Sequence, residues 1–193
     1  MQRYIETVKG FTLIELLVVI AILVVLSVVV ILTLNPAELL RQARDSTRLS
    51  DMATMKSAVA LYLADVAQPT LGDSTRCYVH SSSTLGVGTR CGPAGVERFL
   101  AGTNNVSSSI AVDTSGWMPV NFAGISGGSP IAAVPTDPTN NATLYYAYRV
   151  NPANTTQYEF NMKLESLKYA STTSQTDGGN LPDIYEGGTL LSL

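Results

Sequence analysis

The first hydrophobic feature of the chain is an apolar run over residues 11–34, in which Glu15 is the only charged residue. As an α-helix this run would extend about 36 Å at 1.5 Å per residue, enough to cross the ~30 Å hydrocarbon core of a bilayer. It is longer than the roughly 7–15 apolar residues of a secretory signal peptide, and no A-x-A-like cleavage pattern follows it. The pattern therefore predicts a membrane-spanning helix that the protein keeps.

The next segment, residues 35–68, alternates apolar and polar positions with a helical period. Asn35-Pro36 should interrupt the helical hydrogen bonds, because proline has no N–H to donate and its ring clashes with the preceding turn. Apolar residues spaced by three and four predict an amphipathic helix lying against a sheet, and Gln68-Pro69 should end it. The apolar positions are Leu39, Leu40, Ala43, Met52, Met55, Val59, Tyr62, Leu63 and Val66. The charged residues mostly fall elsewhere: Arg41, Arg44, Asp45, Arg48, Asp51 and Lys56.

Two later segments alternate with the period of a β-strand. LYYAYRV at residues 144–150 and QYEFNMKLE at residues 157–165 place apolar and polar residues in alternation, and a turn-forming stretch joins them. They predict an antiparallel hairpin whose apolar face covers the second helix. Residues 69–135 are rich in Ser, Thr, Gly and Pro and are interpreted as a long loop region.

The residues at the start of the apolar run form a specific motif. Gly10 is followed by FTLIE, and the ten-residue leader carries Arg3 and Lys9. GFTLIELLVVIAIL resembles the class III signal of bacterial type IV pilins and type II secretion pseudopilins. The resemblance implies that a prepilin peptidase cuts after Gly10 and methylates the new N-terminus at Phe11. It also implies that Glu15 neutralises the N-terminal amine of an adjoining subunit in a filament.

The same resemblance implies an α+β fold, with a long kinked N-terminal helix packed on a small antiparallel sheet. It divides the chain into a leader (1–10), a transmembrane and assembly helix half (11–34), an amphipathic helix half (35–68), a variable loop region (69–135), and a β-hairpin with a glycine-rich C-terminal loop (136–193). VPTDPTN, with Pro135, Asp137 and Pro138, resembles the turn before the sheet of major pseudopilins, although turn chemistry alone explains these residues equally well.

Glu15 also has a simpler interpretation. A carboxylate within a membrane costs roughly 2.5–3.5 kcal/mol on insertion scales, so it needs either a partner or water. Glu15 could lie near the helix start and reach the headgroup region, which would make the helix an ordinary single-span anchor.

Charge and cysteine content add two constraints. The net charge is −3, and the leader contributes Arg3 and Lys9 against Glu6, so the cleaved chain carries −4. This gives no basic footprint for direct nucleic-acid binding. Cys77 and Cys91 are interpreted as a disulfide rather than two buried thiols, because the domain is expected to face an oxidising compartment and nothing nearby resembles a metal site.

The charges flanking the apolar run do not decide its orientation, since Arg3 and Lys9 precede it while three arginines follow it closely. The resemblance implies a single-pass protein of the cytoplasmic membrane, with the N-terminus cytoplasmic and the C-terminal domain extracytoplasmic. After assembly the protein would lie in a cell-surface or periplasmic filament.

The tail, TSQTDGGNLPDIYEGGTL, resembles the calcium-binding C-terminal loop of major pseudopilins. Asp177 and Asp183 would supply carboxylate oxygens, the ligands that a hard cation requires. A plain glycine-rich surface loop is the alternative, because the acidic spacing of those loops is not reproduced cleanly.

No catalytic constellation is found. The only histidine, His80, is expected in a surface loop, and the sequence predicts no nucleophile elbow of the strand–turn–helix kind. The sequons at Asn105, Asn141 and Asn154 are expected by chance in a chain this rich in Ser, Thr and Asn, so glycosylation is left open.

The sequence thus predicts a structural protein: a pilus-like filament subunit, either a major pilin or a type II secretion major pseudopilin. Its expected partners are copies of itself, prepilin peptidase, an inner-membrane assembly platform and, before assembly, lipid. The alternative is a membrane-anchored extracytoplasmic binding protein that does not polymerise.

Overall fold

The structure, a computed structural model, describes residues 10–80, 91–92 and 97–193. The chain divides into two units, one ending at Leu39 and the other spanning Leu40–Leu193. The predicted leader, apart from Gly10, lies outside the described residues, and so do its basic residues Arg3 and Lys9.

The first helix, α1, spans Leu13–Leu34, and every side chain described in it is exposed. Its residues Leu13–Ile31 have a mean hydropathy of 3.3, which makes this the one helix in the described part of the chain that is long and apolar enough to cross a membrane. A water-soluble domain would have to bury such a surface, so α1 requires a membrane or other apolar helices around it.

The helical hydrogen bonds are interrupted at Asn35, which has a left-handed backbone with φ of 41°. Asparagine tolerates this conformation better than most residues do. The second helix, α2, begins at Pro36 and runs to Asp65. Pro36 suits the first helical position, where its missing N–H would have had no helical acceptor.

A five-stranded sheet forms the rest of the architecture. The strands are β1 (Arg76–His80), β2 (Thr103–Ser107), β3 (Ala147–Val150), β4 (Tyr158–Met162) and β5 (Tyr185–Gly188). Their order in the sheet is β2-β1-β3-β4-β5, and only the β1–β2 pair is parallel. A short helix, α3 (Leu167–Ala170), follows β4. The predicted α+β fold, with an apolar N-terminal helix and a mostly antiparallel sheet, is confirmed.

The hairpin predicted from alternation is the β3–β4 pair. Val150 lies opposite Tyr158, and Tyr148 lies opposite Phe160. These residues lie on one face of the sheet and pack with the apolar side of α2, where the largest core forms. Residues of this core in α2 are Met52, Met55, Ala58, Val59 and Tyr62; those of the hairpin are Tyr146, Tyr148, Val150, Tyr158, Phe160, Met162 and Leu164.

The opposite face of the sheet is also buried, which the sequence does not predict. A second, smaller core there joins β1 and β3 to later parts of the chain. It contains Cys77, Val79, Cys91, Phe99, Tyr145, Ala147 and Leu193. Cys77 and Cys91 form a disulfide within it, with their Cα atoms 5.7 Å apart.

Residues 69–135 hold more regular structure than the loop region that the sequence predicts. They contain β1 and β2, and a 3₁₀-helix at Phe122–Gly124. Within them Trp117, Met118 and Phe122 are fully buried, and Trp117 Nε1 donates to the Pro135 carbonyl oxygen at 3.1 Å. The hydrophobic pattern does not reveal β2, because its residues are mainly polar and it gains its stability from pairing with β1.

The predicted face of α2 is correct only in its C-terminal half. Leu39, Leu40 and Ala43 are exposed, whereas the charged residues Asp45 and Arg48 are completely buried. The expectation that these two charges lie outside the buried stripe is therefore wrong, because ionic partners from other segments compensate for their burial.

We predict that non-reducing peptide mapping of protein taken from outside the cytoplasm will recover a linked Cys77–Cys91 pair. Reduction should lower the free energy of unfolding by up to about 3 kcal/mol, because the bridge limits the unfolded chain. A Cys77→Ala/Cys91→Ala double variant that is insensitive to reductant provides the control. Two alkylatable thiols in the folded protein would contradict the prediction.

Candidate assembly segment and buried charge clusters

The predicted processing site precedes the first turn of α1. Gly10 and Phe11 are both exposed, and Phe11 retains 92% of its accessible surface. No Cβ placed on Gly10 would meet another atom within 4 Å. The peptide bond between these two residues is therefore not covered by the described parts of the chain.

Thr12 and Glu15 form a reciprocal cap at the start of α1. Glu15 Oε2 accepts hydrogen bonds from the Thr12 backbone N–H at 2.9 Å and from its hydroxyl at 2.7 Å. In return, the Glu15 backbone N–H donates to Thr12 Oγ1 at 3.3 Å. This capping box satisfies backbone groups that would otherwise have no acceptor at the helix terminus. The spacing Thr-x-x-Glu is the sequence signature of this cap, and hydrophobic periodicity does not reveal it.

The most extensively bonded charged group in the described chain is Arg48 of α2. Its Nε and Nη2 atoms donate to the two carboxylate oxygens of Asp137 at 2.7 and 2.8 Å. Its Nη1 atom lies 2.8 Å from Asp45 Oδ1 and 2.6 Å from Glu165 Oε1. We call Arg44, Asp45, Arg48, Asp137 and Glu165 the Arg48 cluster.

The Arg48 cluster holds three distant segments together. Asp45 accepts from the backbone N–H groups of Glu165 and Ser166, and so attaches α2 to the chain that follows β4. Asp137 also accepts from the backbone N–H of Thr139, and so fixes the VPTDPTN turn. The role of Asp137 is therefore to bind an arginine of α2 as well as to form a turn.

Glu165 is an acidic member of the Arg48 cluster whose pKa is lowered by its arginine partners. Hydrogen bonds from Arg44, opposed by partial burial and assisted by Arg48, lower the pKa of Glu165 from 4.5 to about 2. A carboxyl group whose pKa is lower in the folded state stabilises the fold at pH values above its pKa in the unfolded state. That stabilisation is lost as the pH falls from about 4.5 towards 2.

A second cluster of ionisable side chains lies on the other face of the sheet, around Glu159 of β4. Burial, together with the nearby Glu186 charge, raises the pKa of Glu159 to about 8, although its Oε2 accepts from the Leu193 N–H at 2.8 Å. Burial likewise raises the pKa of Glu186. Arg149 of β3 donates to the Leu193 carbonyl oxygen at 3.1 Å. Among the described atoms, Glu186 Oε1 and Arg149 Nε are buried with no hydrogen-bond partner.

The two predicted calcium ligands differ in their surroundings. Asp177 accepts from the backbone N–H groups of Gly179 and Glu186 at 2.9 and 2.7 Å, while Asp183 is exposed. Gly179 suits its position, since a Cβ there would clash with the Glu186 carboxylate and lie 2.9 Å from the Glu186 Cβ. No group of three or more His, Cys, Asp or Glu side chains within residues 10–80, 91–92 and 97–193 could hold a metal ion. Calcium binding stays a prediction.

His80 ends β1 instead of lying in a loop as expected. Its Nε2 lies 3.1 Å from the Ser108 carbonyl oxygen, and its Nδ1 lies 2.7 Å from Asn140 Nδ2. Both ring nitrogens therefore bind uncharged groups that join β1 to two loops. These contacts give His80 a structural role, and no described carboxylate or serine hydroxyl hydrogen-bonds to it.

Comparison with known proteins bears on the N-terminal segment. Residues 7–31 match the family model described as the prokaryotic N-terminal methylation motif. No curated protein and no solved structure matches the chain. The match covers the predicted cut site, Glu15 and most of α1, and it does not extend into the sheet.

The chain therefore carries the class III signal peptide of type IV pilins and pseudopilins. The motif supports a type IV pilin-like or pseudopilin precursor, and such a motif is typical of structural rather than catalytic proteins. An apolar helix near the N-terminus is compatible with membrane anchoring.

We predict that Arg48→Met lowers the free energy of unfolding by about 3–5 kcal/mol, because Asp45 and Asp137 would remain buried without their cation. Arg44→Met is the matched control: the Arg44 side chain is 37% exposed, so its removal should cost less than removal of the completely buried Arg48. Urea unfolding of the full chain in detergent measures both. Equal losses from the two variants would contradict the prediction.

A further prediction concerns pH. Since the pKa of Glu159 is raised from 4.5 to about 8, its contribution to stability is fully present below about pH 4.5 and is lost as the pH rises to 8. We expect Glu159→Gln to unfold with a free energy higher than wild type at pH 8, by on the order of 1–3 kcal/mol, and similar at pH 4.5. Glu165→Gln should show the opposite sign, losing stability at neutral pH. A parallel pH dependence in wild type and Glu159→Gln would refute this assignment.

Proposed function

We propose that the protein is a structural subunit of a type IV pilus-like filament, cleaved by prepilin peptidase after Gly10 and polymerised through α1. The observation that carries this proposal is the methylation motif at residues 7–31, which leads directly into a helix whose described side chains are all exposed. Filament assembly would bury this apolar surface among other copies of α1, as lipid does before assembly.

The role proposed for Glu15 follows from the capping box. Cleavage after Gly10 would leave both Thr12 and Glu15 in the mature chain, so the cap could persist. Its bonds use Glu15 Oε2, and Oε1 is not part of them. One carboxylate oxygen would then cap its own helix while the other meets the methylated amine of a neighbouring Phe11. Opposite charges in an apolar bundle offset each other's desolvation only when they meet in this way.

The location follows from the same proposal. The N-terminus would be cytoplasmic and the sheet domain extracytoplasmic, where an oxidising environment would maintain the Cys77–Cys91 bridge. Prepilin peptidase and an inner-membrane assembly platform would be its partners during maturation. The filament could serve as a surface pilus or as a type II secretion pseudopilus; a retraction ATPase or a secretin encoded nearby would distinguish them.

The experiment that tests the function is Glu15→Gln. This change keeps the size of the side chain and an amide oxygen for the Thr12 cap, but it removes the charge. Membrane insertion and processing should equal wild type, whereas filament yield should fall at least tenfold, since an unpaired buried cation costs about 3–5 kcal/mol. Sheared filaments, membrane-bound protein and the mature N-terminus are quantified by immunoblotting and mass spectrometry.

Gly10→Val is the matched processing control and should leave the uncut precursor in the membrane. Wild-type filaments should contain chains that begin at methylated Phe11. Normal filament yield from Glu15→Gln would show that the carboxylate is a tolerated interfacial charge. Processed wild-type protein that never polymerises would favour the anchored binding protein instead.

Calcium binding by the tail is a separate and narrower proposal. It rests on the resemblance of the tail, in which Asp177 and Asp183 would supply carboxylate oxygens. Chelation should lower the melting temperature of the full chain and added calcium should restore it, as for any ligand that binds only the folded state. The variants Asp183→Ala and Asp177→Ala test the two carboxylates separately, and Asp183 lies at an exposed position. A chelator that leaves the melting temperature of wild type unchanged would exclude the site.

A further inference from the structure

The three N-x-S/T sequons differ in their structural settings. Asn141 precedes β3, Asn154 lies in the turn between β3 and β4, and Asn105 is in the middle of β2. A sequon is an acceptor for N-linked glycans only where the asparagine is accessible and the chain can adopt the conformation that a transferase requires. The structure therefore allows the three candidates to be separated.

Asn141 and Asn154 share one local geometry. The Asn141 carboxamide oxygen accepts from the Thr143 backbone N–H at 2.9 Å and from the Thr143 hydroxyl at 3.0 Å. The Asn154 oxygen accepts from the corresponding groups of Thr156 at 3.1 and 2.7 Å. In both sequons the hydroxyl that defines the motif is thus bound to the asparagine that would be modified.

The carboxamide nitrogen is accessible in both sequons. Asn141, Asn154 and their two threonines are exposed. In the part of the chain that the structure describes, neither Nδ2 atom has a hydrogen-bond acceptor, whereas both Oδ1 atoms have two or more donors. Both asparagines also lie outside the two cores, so a bulky hydrophilic group there would displace no packed side chain.

Asn105 provides an internal contrast. It lies in β2, paired with Tyr78 of β1 in the sheet, and it is only partly exposed. Its extended backbone carries no turn, and the hydroxyl oxygen of Ser107 accepts a hydrogen bond from the Ser109 backbone N–H at 3.2 Å. The third sequon therefore lacks the exposure and the hydroxyl contact that the other two have.

We propose that Asn141 and Asn154 are N-glycosylation sites and that Asn105 is not. The donor would be an oligosaccharide linked to a polyprenyl diphosphate, transferred by an enzyme at the extracytoplasmic face of the membrane. A bond forms between Nδ2 and the first sugar carbon, the bond from that carbon to the diphosphate oxygen breaks, and polyprenyl diphosphate leaves. The Nδ2 proton passes to a base of the transferase.

The geometry favours this reaction at the asparagine itself. An amide nitrogen is a weak nucleophile because its lone pair is delocalised onto the carbonyl oxygen. Hydrogen bonds from the threonine N–H and O–H stabilise negative charge on that oxygen as the Nδ2 proton is removed. Thr143 and Thr156 are in this sense positioning residues, and a serine would retain the hydroxyl that an alanine lacks.

The test uses the full chain from its own cells, both as membrane-bound precursor and in filaments. Peptide mass spectrometry should find a glycan on Asn141 and on Asn154, with Asn105 unmodified. Thr143→Ala should abolish the glycan on Asn141 alone and Thr156→Ala that on Asn154 alone, while Thr→Ser at each position should retain it. Melting temperatures equal to wild type show that the variants fold. Unmodified Asn141 and Asn154, or a glycan on Asn105, would overturn the inference.

The inference rests on the extracytoplasmic location given in the proposed function, and the same samples separate the two. Glycans on protein that forms no filaments leave the inference intact and contradict the filament role. Unmodified asparagines in a chain whose Cys77 and Cys91 are bridged contradict glycosylation alone. Unmodified asparagines together with free thiols overturn both, since they show that the domain is not exported.

Discussion

The fold depends on the burial of a single guanidinium group. Arg48 is completely buried, and a charge in that position is tolerable only when all its carboxylate partners are present. Those partners come from its own helix, from the turn at Asp137 and from Glu165 after β4. Burial of Arg48 therefore requires three distant segments to be placed correctly at once, which makes the cluster a determinant of which arrangement forms rather than simply a source of stability.

The pKa values of carboxyl groups shift in opposite directions on the two sides of the sheet. On the α2 side, arginines hold the pKa of Glu165 low, near 2. On the other side, burial and a second carboxyl raise that of Glu159 to about 8. The difference arises because Arg44 and Arg48 contact the Glu165 carboxylate on the α2 side. On the other side, Arg149 donates instead to the Leu193 carbonyl oxygen. One sheet thus contains both an acid-sensitive and an alkali-sensitive contact.

Sequence patterns predict the parts of this fold that follow simple periods. The α1 helix and the β3–β4 hairpin are recognisable because their apolar residues recur regularly. The strand TNNVS of β2 is not, since its residues are polar and its pairing with β1 is decided by a partner 27 positions away, as Asn104 opposite Cys77 shows. Burial of Arg48 cannot be predicted either, because a charged residue indicates burial only when its partners are known.

In the tail, Gly188 allows close packing, because a Cβ there would clash with the Tyr158 carbonyl oxygen.

The order of strands has a consequence for how the domain folds as the chain is synthesised. The central strand, β3, pairs with β1 on one side and with β4 on the other, so the sheet cannot close before residues 147–150 have emerged. Contacts between segments so far apart form slowly, because a long loop must close first. Until then the apolar side of α2 has no sheet to cover it. In the proposed extracytoplasmic location, the nascent domain would pass through an unfolded stage in which chaperones outside the cytoplasm would find a binding surface on α2.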